Sequence, residues 1–380
     1  AFGSTKNINT PGTAIFINCP FPTLDSDAVE TKTVIIGEGY SSNPYAAKSI
    51  FNISGMSFGA ISKPAVLALS NGARMAGCWM NTGEGGISPY HLEGGADLVF
   101  QIGTAKYGVR NDDGSLSDEK LANIATRDQV KMFELKVSQG AKPGKGGILP
   151  GIKVTKQISE IRGIPKGEDS ISPNRHVEVS NASELLDMIN HVREVTQKPV
   201  GFKTVIGHIR WLEALLGEVN KRGKDSAPDF ITVDGGDGGT GAAPMALMDS
   251  VGLPLKEALP LVVDKIMQCG LEDRIKVVAS GKMITPSDVA WAICAGADFV
   301  TSARGFMFAI GCIQSLKCNK NTCPTGITTH NKRLQKGLNP KSKSIKVKNY
   351  INNITKTVGI IAHSCGVKEV RGLNRTHVRI

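Results

Sequence analysis

From residue 49 onward the chain repeats one pattern: a short apolar run, a glycine-rich junction, then a stretch with helical spacing. Eight apolar runs carry it: Ser49–Ile53, Cys78–Asn81, Leu98–Ile102, Met132–Val137, Val200–Val205, Phe230–Val233, Lys276–Ala279 and Phe299–Thr301. Helical stretches between them include Lys63–Met75, Ala182–Thr196, Ile209–Lys221, Leu255–Cys269 and Pro286–Cys294. Such alternation specifies parallel strands joined by crossover helices, and eight units specify an α/β fold closed as a (β/α)8 TIM barrel rather than an open sheet. Residues 1–48 are irregular, broken by Pro11, Pro20, Pro22 and Pro44, and read as an N-terminal extension packed on the barrel. The barrel is expected over 49–330, and a basic, helical C-terminal extension over 331–380. A long Gly/Pro-rich insertion, Gly140 to Pro173, follows the fourth run. Unstructured length of that kind inside a compact enzyme usually serves function.

A barrel of this type places its chemistry at the C-terminal ends of its strands, so polar and glycine motifs should gather there. They do, at Ser54-Gly55-Met56-Ser57, Asn81-Thr82-Gly83-Glu84-Gly85-Gly86, Lys203, the run Asp234 to Gly241, Ser280-Gly281-Lys282 and Ser302-Ala303-Arg304-Gly305. The last two follow the seventh and eighth runs, the usual phosphate site of this fold, where backbone N–H groups face an anion and Lys282 or Arg304 adds charge. Asp234 to Gly241, with Gly235, Gly236 and Gly239, is too glycine-dense for a helix or an ordinary strand. It reads as a backbone-lined wall beside a flat ligand, with Asp234, Asp237 and Thr240 as its polar groups, or else as a surface loop. It lacks the Gly-Lys-Ser/Thr ending of a P-loop and the dinucleotide fingerprint. Lys203, at the mouth of an inner strand, either points into the site or snorkels to solvent.

Eight cysteines in a long chain do not resemble a small disulfide scaffold, so a reducing, cytoplasmic setting is expected. Cys312, Cys318 and Cys323 are clustered, with Pro324 after the last. Zinc sites favour shorter spacers and four ligands, so the choice is between iron–sulfur ligation, with a three-iron cluster as the natural fit, and free thiols. No signal peptide and no apolar run long enough to span a membrane is found, and no Ser-His-Asp triad is evident; His91, His176 and His208 are the histidines nearest candidate loops. The net charge is +11. Part of the excess lies between Asn331 and Lys348, which holds seven Lys and Arg and no acid. That stretch is a solvated surface or a dock for an acidic electron donor; nucleic acid is not expected, because aromatic residues do not interleave with the charges.

Taken in order, the motifs from about Ile53 to His330 resemble the FMN-binding synthase domain of the glutamate synthase family. Ser54-Gly55-Met56-Ser57-Phe58-Gly59-Ala60 resembles the family's first-strand motif, and Asn81-Thr82-Gly83-Glu84-Gly85-Gly86 its substrate loop. Ser138-Gln139-Gly140-Ala141-Lys142-Pro143-Gly144, with Gly146-Gly147 and Leu149-Pro150-Gly151, is similar to its central insertion. Gly238-Gly239-Thr240-Gly241-Ala242-Ala243-Pro244 matches closely. Asn321-Thr322-Cys323-Pro324, with Cys312 and Cys318, resembles the ligands of the family's 3Fe-4S cluster. The runs Ser280-Gly281-Lys282 and Ser302 through Gly311 to Gln314 are most similar to the short, stand-alone branch, whose members often carry an upstream hydrophobic segment. The chain starts at Ala1 without Met, and a membrane anchor upstream of it would fit that branch.

The resemblance implies FMN and a 3Fe-4S cluster as cofactors. It implies reductive amination of 2-oxoglutarate to L-glutamate through 2-iminoglutarate, with electrons from a donor protein or reductase subunit. Lys203 would tune the flavin, with Glu84 and Gln101 as its companions in catalysis. Ser54, Gly55, Met56, Ser57, Asn81, Asp234, Gly235, Gly236, Gly239, Thr240, Ser280, Gly281, Lys282, Ser302, Ala303 and Arg304 would hold the flavin. Gly83, Glu84, Gly85, Gln101 and Lys106 would hold the substrate, and Cys312, Cys318 and Cys323 the cluster. Large glutamate synthases begin with a catalytic cysteine that releases ammonia from glutamine; here Ala1 stands first, so ammonia is expected from a separate source. The family's Lys-Gln-Val-Ala-Ser-Gly-Arg-Phe-Gly appears as Phe100 to Gly108, so a lysine has become Phe100 while Lys106 keeps the charge of the later arginine. Two other readings stay open: a glutamate-linked amine transferase subunit, and a subunit that relays electrons or holds a complex together without its own substrate. The pocket decides, according to whether Glu84, Gln101 and Lys106 surround an open site or Phe100 closes it. An IMP-dehydrogenase-like barrel needs a cysteine in its glycine-rich loop, and Gly235 to Ala243 has none.

Overall fold

The computed structural model describes residues 3–5, 7–239, 241 and 243–379. Eight parallel strands close a barrel: β1 (Phe51–Ile53), β2 (Met80–Asn81), β3 (Leu98–Ile102), β4 (Val130–Lys136), β5 (Val200–Thr204), β6 (Phe230–Asp234), β7 (Lys276–Ser280) and β8 (Phe299–Ser302). Each expected run overlaps one of them, with ends within two residues. β8 pairs with β1 through Thr301 and Asn52, which closes the ring. Inside it, alternate side chains form an apolar floor of Trp79, Val99, Met132, Phe230, Val278 and Phe299. The same alternation turns Phe100 and Phe133 outward into the layer between strands and helices, where their rings lie 5.8 Å apart.

The enclosing helices are α1 (Lys63–Ala76), α2 (Pro89–Glu93), α3 (Asp118–Ala125), α4 (Ala182–Thr196), α5 (Arg210–Arg222), α6 (Leu255–Gln268), α7 (Pro286–Cys294) and α8 (Pro340–Ser364). Local sequence fixes where several of them begin. Ser62 caps α1 by accepting from the Ala65 amide, Asn181 caps α4, and Thr285 with Asp288 forms a capping box on α7. Pro64 and Pro286 sit in first turns, where a missing N–H costs nothing.

Residues 34–47 lie at the opposite end of the barrel from the site. Val34–Ile36 pairs antiparallel with Tyr45–Ala47, and buried Ile36 and Tyr45 join the apolar floor from below. The Tyr45 hydroxyl donates to Asp97, just before β3. Ile15–Phe16 pairs with Val378–Arg379, so the two ends of the chain meet. The barrel itself runs past the boundary expected at residue 330. α8 packs on α1 so closely that a Cβ on Gly72 would sit 2.5 Å from Val347, and it also lies against α7. α8 is thus the eighth barrel helix, and residues 340–364 are part of the barrel rather than an extension of it. Among the described residues no helix is long and apolar enough to cross a membrane.

Candidate active site

Above the apolar floor, β2 to β6 present a layer of polar side chains. Glu134 of β4 is its centre: its carboxylate accepts from Asn81 Nδ2 (2.8 Å), Gln101 Nε2 (2.6 Å) and Thr232 Oγ1 (2.6 Å). Three donors satisfy a carboxylate only 3 % exposed, as burial demands. Asn81 Oδ1 in turn accepts from the Gly83 amide and orients the loop that carries Glu84. Lys203 of β5 lies 3.3 Å from Asp234 of β6, whose Oδ2 also accepts from the Gly140 amide at 2.8 Å. Burial works against the Lys203 charge, but Asp234 and Glu134 outweigh it and hold the ammonium above its ordinary pKa.

Over this layer opens a cavity of about 290 Å³. One end is built by Ser280, the last residue of β7, with Gly281 and Lys282 after it, and by Ala303 and Arg304 after β8. The backbone there is specialised: Gly281 has φ +131° and Lys282 φ +48°, and a Cβ on Gly239 would meet the Arg304 guanidinium at 2.5 Å. The other end is built by the insertion between β4 and α4. Its hairpin Ile148–Leu149 with Ser170–Ile171 and its helix Lys156–Arg162 bring Lys142, Lys153 and Arg162 to the cavity, opposite Glu84 and Lys136. Ser54 to Ser57, Lys203 and Asp234 line the space between the ends.

The cavity is strongly cationic. Among the described residues its lining holds seven Lys and Arg side chains, against the two carboxylates Glu84 and Asp234. Glu84 pairs with Lys136 at 2.9 Å. Burial opposes its charge, yet Lys136, Lys142 and Arg162 prevail and hold its carboxyl below the ordinary value. Lys142 is pushed down to about 8 by burial, partly offset by Glu84. Arg162 is 4 % exposed, donates to Ser170 Oγ and stacks 5.1 Å over the Tyr107 ring. Its Nε is buried and has no hydrogen-bond partner among the described residues.

Most of the residues expected at the site line this one cavity: Ser54, Gly55, Met56, Ser57, Gly83, Glu84, Gln101, Lys203, Asp234, Gly239, Ser280, Gly281, Lys282, Ala303 and Arg304. Several do not. Lys106 sits in a left-handed turn (φ +53°) that sends its ammonium away, to pair with the exposed Glu178 at 2.9 Å. Gly85 backs the Arg162 guanidinium, and Asn81 acts from beneath through Glu134 and Gly83. Gly235 and Gly236 are packed against Leu255 and the Gly252 carbonyl, where no side chain fits. Ser302 accepts from the Ser54 and Gly305 amides and so joins the first and last strands. Thr240 lies outside the described residues. Phe100 faces outward, so the lost family lysine neither lines nor closes the cavity. His91 and His176 are buried, bonded to the carbonyls of Met56 and Lys136, and burial lowers both to about 4, which leaves them neutral structural groups.

The residues not anticipated are Lys136, Gln139, Lys142, Lys153 and Arg162. Gln139 and Lys142 stood within the run Ser138 to Gly144, which carried the signal. Arg162 had none, since it ends a short helix inside an insertion.

Cys312, Cys318 and Cys323 are free thiols on the loop after the helix Arg304–Ile310. Cys318 reaches the cavity wall, where it packs against Gly241, and it feels the charge of both other thiols. Burial raises the Cys323 thiol, but the Thr325 hydroxyl and the Thr325 and Thr328 backbone win and lower it to about 7, which favours thiolate. Among the described residues no three Cys, His, Asp or Glu side chains converge closely enough to hold a single metal ion.

Comparison with known proteins agrees with this geometry. The sequence model of the family described as "conserved region in glutamate synthase" matches residues 13–368. The chain is 45% identical over 345 residues to the glutamate synthase large subunit-like protein YerD of Bacillus subtilis (strain 168), covering 90% of this chain and 65% of that protein. It is 33% identical over 320 residues to an archaeal-type glutamate synthase [NADPH] of Thermotoga maritima, covering 84% of this chain and 59% of the other. The chain therefore spans about three fifths to two thirds of these relatives' lengths. Among solved structures, mandelate oxidase with benzoyl-formic acid superimposes with a TM-score of 0.55 at 15% identity, over 96% of this chain and 85% of that one. A mutant flavocytochrome b2 with pyruvate bound gives a TM-score of 0.56 at 15% identity, over 96% and 76%. These two share the fold. The chain belongs to the glutamate synthase family.

Proposed function

We propose that this chain is an FMN-dependent oxidoreductase of the glutamate synthase type, which reductively aminates 2-oxoglutarate through 2-iminoglutarate with ammonia supplied from outside. The observation that carries the reading is one cationic cavity with Lys and Arg side chains at both ends. A phosphate-bearing cofactor at one end and a dicarboxylate at the other would balance its charge. The glycine cradle suits the cofactor: Gly239, Gly281 and the left-handed Lys282 leave room where a Cβ would collide. A mandelate oxidase of this fold is described with an FMN adduct, which agrees with that choice.

FMN held by Ser54 to Ser57, Lys203, Ser280 to Lys282, Ala303 and Arg304 would supply the hydride for the imine carbon. Lys203, charged by virtue of Asp234 and Glu134, would stabilise negative charge at the N1–O2 edge of the ring. The Arg162 guanidinium and Lys142 Nζ would take the substrate carboxylates, with Lys153 deepening the positive field. Glu84, ionised near neutral pH, would accept the hydrogen bond of the imine nitrogen and favour its protonated, more electrophilic form. Gln101, fixed through its amide by Glu134, would present its remaining polar groups to the same substrate. Cys312, Cys318 and Cys323 would hold a 3Fe-4S cluster, which would supply an electron relay; the three thiols of one loop, unpaired by disulfides and with thiolate favoured at Cys323, suit that donor set.

The test is to release and identify the flavin of anaerobically purified protein, count its iron, and assay glutamate formation. FMN, about three irons per chain and glutamate formation that needs both ammonia and 2-oxoglutarate are expected. A protein that binds no flavin after reconstitution would sink the reading.

A further inference from the structure

Two pieces of backbone build the glycine-lined end of the cavity, one after β7 and one after β8, and the first carries a conformation that needs support. Lys282 sits at φ +48°, in the left-handed region that a lysine keeps only where its surroundings hold it. Gly281 before it, at φ +131°, comes so close to the glycine-rich run that a Cβ there would lie 3.0 Å from the Gly235 nitrogen. The hold on this turn comes two residues later, at Ile284. The Ile284 amide, the Thr285 amide and the Thr285 hydroxyl donate to Asp288 Oδ2 of α7, at 3.2, 2.8 and 2.8 Å. The Ile284 carbonyl accepts from the Tyr350 hydroxyl of α8 at 2.6 Å. Both backbone groups of Ile284 are thus fixed, one by α7 and the other by α8.

Tyr350 also meets the second piece. α8 lies against the helix Arg304–Ile310, and a Cβ on Gly305 would overlap the Tyr350 hydroxyl and lie 2.8 Å from its Cζ. The ring is locked by two others. It stands edge-on to Phe51 of β1 at 5.6 Å and to Phe306 at 5.3 Å, and those two stack on each other at 5.3 Å. Burial, with the Asp288 carboxylate, raises the phenol above its ordinary pKa, so the hydroxyl stays a donor at neutral pH. Tyr350 does not line the cavity, yet its hydroxyl touches both backbone pieces that shape one end of it.

We propose that Tyr350 is a positioning residue for the flavin phosphate: by holding the turn at Ile284 against Gly305, it sets the spacing of the cradle between Gly281–Lys282 and Ala303–Arg304. The inference rests on the FMN reading above and assigns part of the selectivity for a phosphorylated flavin to a helix outside the cavity. Phenylalanine at this position keeps the three-ring cluster and leaves the Ile284 carbonyl unheld, so the left-handed turn at Lys282 loses one of its two supports. Riboflavin is the matched probe, since it has the ring and ribityl chain of FMN without the phosphate.

The test titrates FMN and riboflavin separately into the whole chain after removal of its flavin, following the quenching of flavin fluorescence. It compares the wild type, Tyr350→Phe and Tyr45→Phe; the last removes a hydroxyl at the far end of the barrel. In Tyr350→Phe, FMN should bind about three- to tenfold more weakly, the worth of one neutral hydrogen bond, and riboflavin as in the wild type. The preference for FMN would narrow by that factor, while Tyr45→Phe keeps the wild-type preference. An unchanged FMN affinity in Tyr350→Phe, equal weakening of both flavins, or the same narrowing in Tyr45→Phe would overturn the role of Tyr350 and leave the FMN reading standing. A wild type that binds FMN no more tightly than riboflavin would overturn the phosphate cradle and the FMN reading together with it.

Discussion

At the residue scale the account turns on Arg162, Lys142 and Glu84, which face one another across the substrate end of the cavity. Arg162→Met removes the guanidinium that lines the substrate end of the cavity. A lost charged hydrogen bond of about 1.5–3 kcal/mol corresponds to a KM for 2-oxoglutarate raised about 10- to 100-fold, with kcat changed much less; steady-state kinetics separates the two. Lys142 supplies the pH dependence. Burial lowers its pKa to about 8, so the free protein loses this positive charge as pH rises through that value. Since kcat/KM reports the free enzyme, it should fall above about pH 8, and in Lys142→Gln the profile should be low and flat across that range. The same shift has a stability consequence of opposite appearance. Between about 8 and 10.5 the unfolded chain keeps the proton that the folded one has lost, so this lysine makes the fold gain stability as pH rises through that window. Glu84→Gln should depress kcat more than it raises KM, because the carboxylate is asked to act on the imine nitrogen rather than on the carboxylates.

At the scale of elements, the barrel is legible in the sequence because each strand is a buried run bounded by glycine or by a polar turn. The helical stretches expected from Lys63, Ala182 and Pro286 begin where α1, α4 and α7 do, and the structure finds the caps Ser62, Asn181 and Thr285 just before them. Two elements were not. The insertion contributes Lys142, Lys153 and Arg162 to the site, yet its regular structure is little more than a hairpin of two-residue strands and a seven-residue helix, and elements so short leave no periodic signal. Lys106 follows Gln101 closely in sequence, yet a single left-handed residue turns its side chain to Glu178. α8 carried a usable signal that its charge concealed. Its buried residues Ser344, Val347, Ile351, Ile354, Val358 and Ala362 recur every three or four positions, the stripe of a helix laid on a core. The α1–α8 contact is testable at Gly72, where a Cβ meets Val347 at 2.5 Å. Gly72→Val should lower stability by about 1–3 kcal/mol, read as a reduced urea midpoint, while Gly217→Ala on α5, where a Cβ meets nothing within 4 Å, should not lower it.

At the scale of the whole molecule, an apolar floor closes one end of the barrel and a cavity with two anionic appetites opens at the other. Removing residues 340–379 should leave no stable barrel, because α1 and α7 would then expose the apolar surface that α8 covers; a soluble, cooperatively unfolding fragment of residues 3–339 would contradict the assignment of α8 to the barrel. The central claim is that flavin and dicarboxylate share one continuous cavity. The measurement that tests it most directly is titration of 2-oxoglutarate into the FMN-loaded protein, followed by the visible difference spectrum of the flavin. The account predicts a saturable perturbation of the flavin bands in the wild type, weakened about 10- to 100-fold in Arg162→Met, with flavin content equal in the two proteins. A flavin spectrum indifferent to 2-oxoglutarate, or perturbed equally in both, would contradict it.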